Sequence, residues 1–134
     1  MTKLFTLTAV ALIASASAAF AGDAAKGEKD FRKCKSCHMI ADGDNVIVKG
    51  GKTGPNLFGV IGRTAGSVDG FRYGDSIVAA GEAGLVWTEE LLVEYAADPK
   101  AFLSKQLGDA AKSKMTFKLK DASDIAAYLA SVSG

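Results

Sequence analysis

The chain is poor in the residues that usually organise a disulfide framework or a metal site: of 134 residues, two are cysteine, one is histidine, two are proline and one is tryptophan. One pair of cysteines cannot build the several bridges of a small secreted scaffold, and a single histidine excludes any site that needs two imidazoles. Beyond the first twenty or so residues, no apolar run reaches the ~20 residues required to cross hydrocarbon. A surplus of charge is also missing. Sixteen basic residues against fifteen acidic ones leave a net charge of +1, which gives a general nucleic-acid-binding role no electrostatic basis.

What is present begins at the amino end. Met1-Thr2-Lys3 carries one positive charge, Leu4 to Ala14 follow as a short apolar run, and small residues accumulate up to Ala19-Phe20-Ala21. That A-x-A ending is the form a leader peptidase accepts, so residues 1–21 read as a secretory signal peptide cut after Ala21. The apolar run is too short for a membrane anchor. Residues 22–134 then form a single domain by length, with room for one modest core. Its expected location is the periplasm.

The two cysteines lie in Cys34-Lys35-Ser36-Cys37-His38. In an exported chain a structural disulfide is one reading. Zinc would need four ligands, and no further cysteine or histidine exists to supply them. A thioredoxin-like redox pair calls for a preceding strand in a βαβ frame, whereas the residues before Cys34 read as helix; that alternative stays open at this point. Covalent haem attachment satisfies every requirement, because two thiols three residues apart on a helical turn can each add to a vinyl group while the next residue, His38, reaches the iron.

The sixth iron position then needs a ligand. His38 is the only histidine, Met1 leaves with the leader, and Met39 adjoins the proximal ligand on a backbone that cannot easily wrap to the other haem face. Met115 remains by elimination. Most methionines pack cores, yet this one sits in Lys112-Ser113-Lys114-Met115-Thr116-Phe117, a polar stretch better suited to a ligand loop.

Asp23 can cap a helix running to about Lys35, on which Gly27, Phe31 and Cys34 share a side. Asp121 as N-cap, with Asp124 at the third helical position, predicts a last helix over 121–132 with Ile125, Tyr128, Leu129 and Val132 as its apolar stripe. Gly27 costs about 1 kcal/mol of helix stability relative to alanine, which makes sense if the two terminal helices cross there, Gly27 and Phe31 meeting Ile125 and Tyr128. Between them, Thr88 begins a helix through Leu91, Leu92 and Tyr95 that stops at Asp98. Pro99 begins another, capped by Asp98, faced by Phe102, Leu103 and Leu107 and ended by Gly108. Residues 43–84 hold eleven of the fifteen glycines and read as long and mainly irregular. Such a stretch argues against a protein-only core and suits a chain folded over the edges of a large flat cofactor.

These residues resemble class I cytochrome c, most closely its bacterial cytochrome c2 branch, and also mitochondrial cytochrome c and cytochrome c550. The resemblance covers 23–132 and rests on Gly27 with Phe31, Cys34-Lys-Ser-Cys37-His38, Thr53-Gly54-Pro55-Asn56-Leu57, Gly62-Arg63, Gly70-Phe71-Arg72-Tyr73, Trp87-Thr88-Glu89-Glu90, Asp98-Pro99-Lys100, Lys114-Met115-Thr116-Phe117 and Ile125-Ala-Ala-Tyr128-Leu129, in that order. It implies an all-α class I cytochrome c fold, with crossing N- and C-terminal helices and one haem c wrapped by helices and long irregular loops. It further implies that the Pro55 carbonyl accepts the second ring N–H of His38, that Arg63, Tyr73 and the Trp87 indole satisfy buried haem propionates, and that Tyr95 approaches the Met115 sulfur. Ile77 departs from the Asn of many mitochondrial members. The segments 39–54 and 103–115 are longer than theirs, as in the longer cytochrome c2 proteins.

Histidine and methionine together would close both axial positions, so the resemblance implies an electron carrier and not an enzyme. A haem peroxidase, with an open iron position, is the competing class. Lys100, Lys105, Lys112, Lys114, Lys118 and Lys120 crowd the segment around Met115, with Lys33 and Lys35 beside the attachment site. Through this face the resemblance implies docking to a cytochrome bc1-type complex and to a cytochrome c oxidase or photosynthetic reaction centre, as a monomer that neither spans a membrane nor binds nucleic acid.

Overall fold

The computed structural model describes residues 22–133. Five helices follow one another as α1 (Ala24–Asp30), α2 (Asp75–Glu82), α3 (Glu89–Ala97), α4 (Pro99–Leu107) and α5 (Ser123–Val132), with a 3-10 turn, Phe31–Lys33, continuing α1. The expected leader, residues 1–21, lies outside the described residues.

Local chemistry explains most of the boundaries. The Asp23 side chain accepts from Lys26 N–H to start α1, Thr88 from Leu91 N–H to start α3, and Asp98 from Ala101 N–H to start α4. Each satisfies an amide that helix geometry leaves orphaned. Pro99 occupies the first turn of α4, where its missing N–H costs nothing, and Gly108 ends it in the left-handed conformation at φ 70°.

Two expectations change. The last helix starts at Ser123 and not at Asp121: its cap position is Ala122, which offers no side-chain oxygen, and Asp121 instead accepts from Ser123 N–H at 2.9 Å. The glycine-rich stretch is also less irregular than its composition suggests. It contains α2, and an antiparallel hairpin formed by β1 (Ile40–Asp42) and β2 (Asn45–Val48) reaches into it, with Ala41 opposite Val46 and Gly43 turning the chain at φ 57°. The hairpin's irregular register and the shortness of α2 left no sustained period to read.

The core forms where α1 and α5 cross. A Cβ on Gly27 would be driven into the Asp124 carbonyl and would lie 2.9 Å from Ile125 N, so the helices approach at backbone distance. One turn on, Phe31 meets Tyr128 edge-on, with ring centroids 6.0 Å apart. Both rings are buried, with Ile125, Leu129, Phe102 and Leu103 beside them. The crossing predicted from Gly27, Phe31, Ile125 and Tyr128 is thus the one observed.

Polar groups lock the start of the same interface. Asp124 accepts from Asp23 N–H at 2.8 Å and pairs with Lys26 Nζ at 2.7 Å. The Asp23 amide first, and Lys26 second, hold the Asp124 carboxyl below its ordinary range. A depressed folded-state value stabilises the fold above the unfolded value of about 4, and that contribution is lost as pH falls through the folded one. Thermal melts of the haem-loaded protein between pH 6 and pH 3 should therefore show the parent losing stability on acidification faster than Asp124→Asn. Parallel pH profiles would show that this carboxylate is not coupled to folding.

Candidate functional site

The sharp turn after α1 sets the first wall of the site. Cys34 N–H bonds Phe31 O at 2.8 Å and His38 N–H bonds Cys34 O at 2.9 Å, so Cys34-Lys35-Ser36-Cys37-His38 coils as one helical turn. Both thiols are free; Cys34 is half-buried and Cys37 exposed. Burial pushes the Cys34 thiol up to about 11, while the Thr53 and Ser36 hydroxyls lower that of Cys37. Helix α1 and its 3-10 extension, and among the described residues no strand, precede the pair, which removes the thioredoxin-like alternative.

Residues 50–55 run back along this turn. Gly51 N–H bonds Lys35 O and Gly54 N–H bonds Cys37 O, each at 2.8 Å. A Cβ on Gly50 or Gly51 would strike the His38 or Ser36 carbonyl, and one on Gly54 would enter the imidazole itself. This irregular glycine-rich run therefore lies flat against the turn and delivers Pro55 O to within 2.8 Å of His38 Nδ1. A carbonyl can only accept, so Nδ1 carries the hydrogen and Nε2 keeps its lone pair. Burial lowers the His38 basicity, opposed by the bond to Pro55 and reinforced by the Arg63 charge. The result is a neutral imidazole oriented to act as a ligand.

A second wall comes from residues 62–87. Gly62 N–H bonds Trp87 O at 2.7 Å and Trp87 N–H bonds Arg63 O at 2.9 Å, which fixes Arg63 beside Trp87. The Arg63 guanidinium is half-buried and donates to Asn56 O at 3.0 Å and Phe58 O at 3.2 Å. Burial lowers its pKa, and among the described residues no carboxylate pairs with it. Tyr73 accepts from Val68 N–H at 3.2 Å and meets Phe71 edge-on. Trp87, Tyr95 and Phe102 form a three-ring cluster with centroids 5.0 to 5.7 Å apart.

Residues 112–119 form the third wall and are tied at several points. Lys112 N–H donates to Ser76 Oγ at 3.0 Å, Ser113 Oγ to Met115 O at 2.9 Å, and Lys114 Nζ to Arg72 O at 3.2 Å. At the far end Leu119 N–H bonds Ala96 O at 2.8 Å, and Lys118 pairs with Asp98 at 3.0 Å. Burial raises the Tyr95 phenol, with the neighbouring Ser113 hydroxyl opposing.

All three walls enclose one cavity of about 360 Å³. Cys34, Cys37, His38, Pro55, Arg63, Tyr73, Trp87, Tyr95 and Met115 all line it. Every site residue expected from the sequence is thus brought together. Ile77 lines it too, where an Asn would have made the wall polar. Ser76, Ser113 and the Arg72 carbonyl could not be foreseen as fasteners of the methionine loop, because backbone acceptors and lone serines carry no pattern. Asn56 lay inside a quoted motif without a role; its side chain accepts from Ala41 N–H at 3.1 Å and donates to Ala41 O at 2.7 Å, bracketing the hairpin to the site.

The donor set fits a haem. Two free thiols, a neutral imidazole nitrogen and a thioether share one largely apolar cavity with a guanidinium that has no carboxylate partner among the described residues and suits an anionic edge. A metal held only by protein oxygen or nitrogen finds no such set: among the described residues no group of three or more His, Cys, Asp or Glu side chains converges.

No family model matches the chain. It is 61% identical over 129 residues to cytochrome c-551 of Roseobacter denitrificans, covering 93% of this chain and 92% of that protein. Among solved structures it superposes on cytochrome c2 of Rhodobacter capsulatus with a TM-score of 0.80 at 60% identity, over 83% of this chain and 98% of that one. Ferric cytochrome c-550 of Paracoccus versutus gives a TM-score of 0.81 at 55% identity, over 85% and 100% of the two chains. With this fold and this cavity, the chain belongs to the cytochrome c2 and c-550 branch of the class I c-type cytochromes, electron carriers with a single covalently attached haem c.

Proposed function

We propose that this chain is a soluble periplasmic shuttle that takes single electrons from a cytochrome bc1-type complex to a terminal oxidase, a photosynthetic reaction centre or both. The observation that carries the reading is the convergence of His38, with Nδ1 spent on Pro55, and Met115, on a tethered loop, upon the cavity that also holds both thiols.

Cys34 and Cys37 would hold the haem through thioether bonds, and His38 Nε2 and the Met115 sulfur would ligate its iron. Pro55 fixes the imidazole plane. Arg63, Tyr73 and Trp87 would meet the propionate edge, where a half-buried cation offsets anionic charge. Tyr95, neighboured by the Ser113 hydroxyl, lines the same cavity as Met115 and would tune the surroundings of its thioether. Bound haem supplies an iron that gains and loses one electron. With His38 and Met115 both bound to it, that iron would offer substrate no place, which would separate a carrier from a peroxidase. Visible spectra of protein matured with a haem-attachment system test this directly: sharp reduced bands, a weak far-red ferric band and colour retained on the denatured polypeptide are expected. Colour that washes off the denatured chain would remove the thioether assignment.

The partner face is more selective than the lysine count suggests. Lys118 is neutralised by Asp98 and Lys105 by Glu94, and Lys114 is engaged with Arg72 O. Lys100, Lys112 and Lys120, with Lys33 and Lys35, are exposed and make no ion pair among the described residues. Unspent charges steer association with an acidic partner and lose force with salt. Lys100→Glu with Lys112→Glu should slow the reaction with a bc1-type complex roughly tenfold at low ionic strength, and Lys118→Gln much less. Stopped-flow rates against salt read both; equal effects at paired and unpaired lysines would show that local charge does not select the docking face.

A further inference from the structure

The described chain begins against the helix that ends it. Gly22 is half-buried, and a Cβ placed on it would be driven into the Ser123 carbonyl and would lie 2.8 Å from Ala127 Cβ. Only glycine fits that slot without moving α5. The next amide, Asp23 N–H, donates to Asp124 at 2.8 Å. Consecutive Cα atoms are about 3.8 Å apart, so the nitrogen of Gly22 lies within one residue's reach of the same carboxylate.

Two carboxylates belong to the segment it abuts. Asp121 and Asp124 stand either side of Ser123 at the start of α5, and Lys26 pairs with Asp124 at 2.7 Å. Asp121 accepts from Ser123 N–H and makes no ion pair among the described residues.

We propose that removal of the leader at Ala21–Gly22 creates a structural group: the new Gly22 ammonium seats beside the Asp121 and Asp124 carboxylates and completes the lock between α1 and α5. The inference rests on the leader reading above. Chemically, a leader peptidase adds water across the Ala21–Gly22 amide, leaving a carboxylate on Ala21 and an ammonium on Gly22. Glycine at this position is then set by the fold as well as by the peptidase. An uncut or longer chain would place a neutral amide where the seat calls for a cation.

Three exported, haem-loaded proteins decide the matter: the parent, a variant with one serine inserted between Ala21 and Gly22 so that the ammonium is displaced, and Gly22→Ala. Intact mass identifies the first residue of each, and amide hydrogen exchange of Ser123 to Ala126 reads the lock. The parent should begin at Gly22. The serine insertion should speed exchange about threefold, the size of one exposed ion pair, and Gly22→Ala about tenfold or more, because the obstructing atom is backbone. A parent cut elsewhere overturns the leader reading itself. A parent cut at Gly22 whose two variants exchange at the parental rate leaves that reading standing and overturns the seat. Should Gly22→Ala fail to accumulate, the serine insertion decides alone.

Discussion

Met115→Ala in the haem-loaded protein is expected to lower the reduction potential by on the order of 0.2 V, within the ~0.8 V that axial ligands command, and to abolish the weak far-red ferric band. Thioether sulfur is a soft donor and favours the ferrous state, so its loss falls on the reduced form. The loop backbone should persist, since Lys112 to Ser76, Lys114 to Arg72 and Leu119 to Ala96 are bonds that do not involve the Met115 side chain. Optical titration against redox mediators makes the measurement. A variant with the parent's band and potential would show that another group ligates the iron, and the carrier mechanism proposed here would fail with it.

Gly27→Ala is expected to destabilise the protein by about 2 kcal/mol, with the loss from overpacking outweighing the gain in propensity. The test is sharp because two effects have opposite signs. Helix propensity alone predicts that alanine stabilises an interior helical position by about 1 kcal/mol relative to glycine. Here the added methyl meets the Asp124 carbonyl of a second helix, a group that cannot swing aside. In a domain of this size the net loss corresponds to a drop in Tm of roughly 8 °C. A raised Tm would mean that α1 and α5 do not touch at backbone distance.

Legibility differed from one residue to the next for physical reasons. Capping is local: Thr88, Asp98, Pro99 and Gly108 each act within a few residues, and each marks a helix end where expected. Asp121 shows the limit, because an Asp a few residues from an apolar stripe can close a turn instead of capping, and Asp124 turned outward from its own helix to bond Asp23 and Lys26. The hairpin over 40–48 and the short α2 carried no sustained period, and the register of β1 and β2 is irregular. Their formation depends on long-range partners, the Asn56 side chain for the hairpin and the Ser76 contact with Lys112 for the position of α2.

The sequence by itself determined the chemistry: two thiols and an imidazole at fixed spacing, one surviving methionine, and apolar stripes that require two terminal helices to bury one another. Covalent spacing and helical period are properties of neighbouring residues, so they survive without a fold. The tertiary structure alone decided that the glycines of 50–54 press Pro55 O onto His38, that Arg63 has no carboxylate partner among the described residues, and that three lysines of the expected docking face are spent on Asp98, Glu94 and the Arg72 carbonyl. These depend on backbone approach and on ion pairs and hydrogen bonds between residues 11 to 42 positions apart, for which a linear sequence holds no local signal.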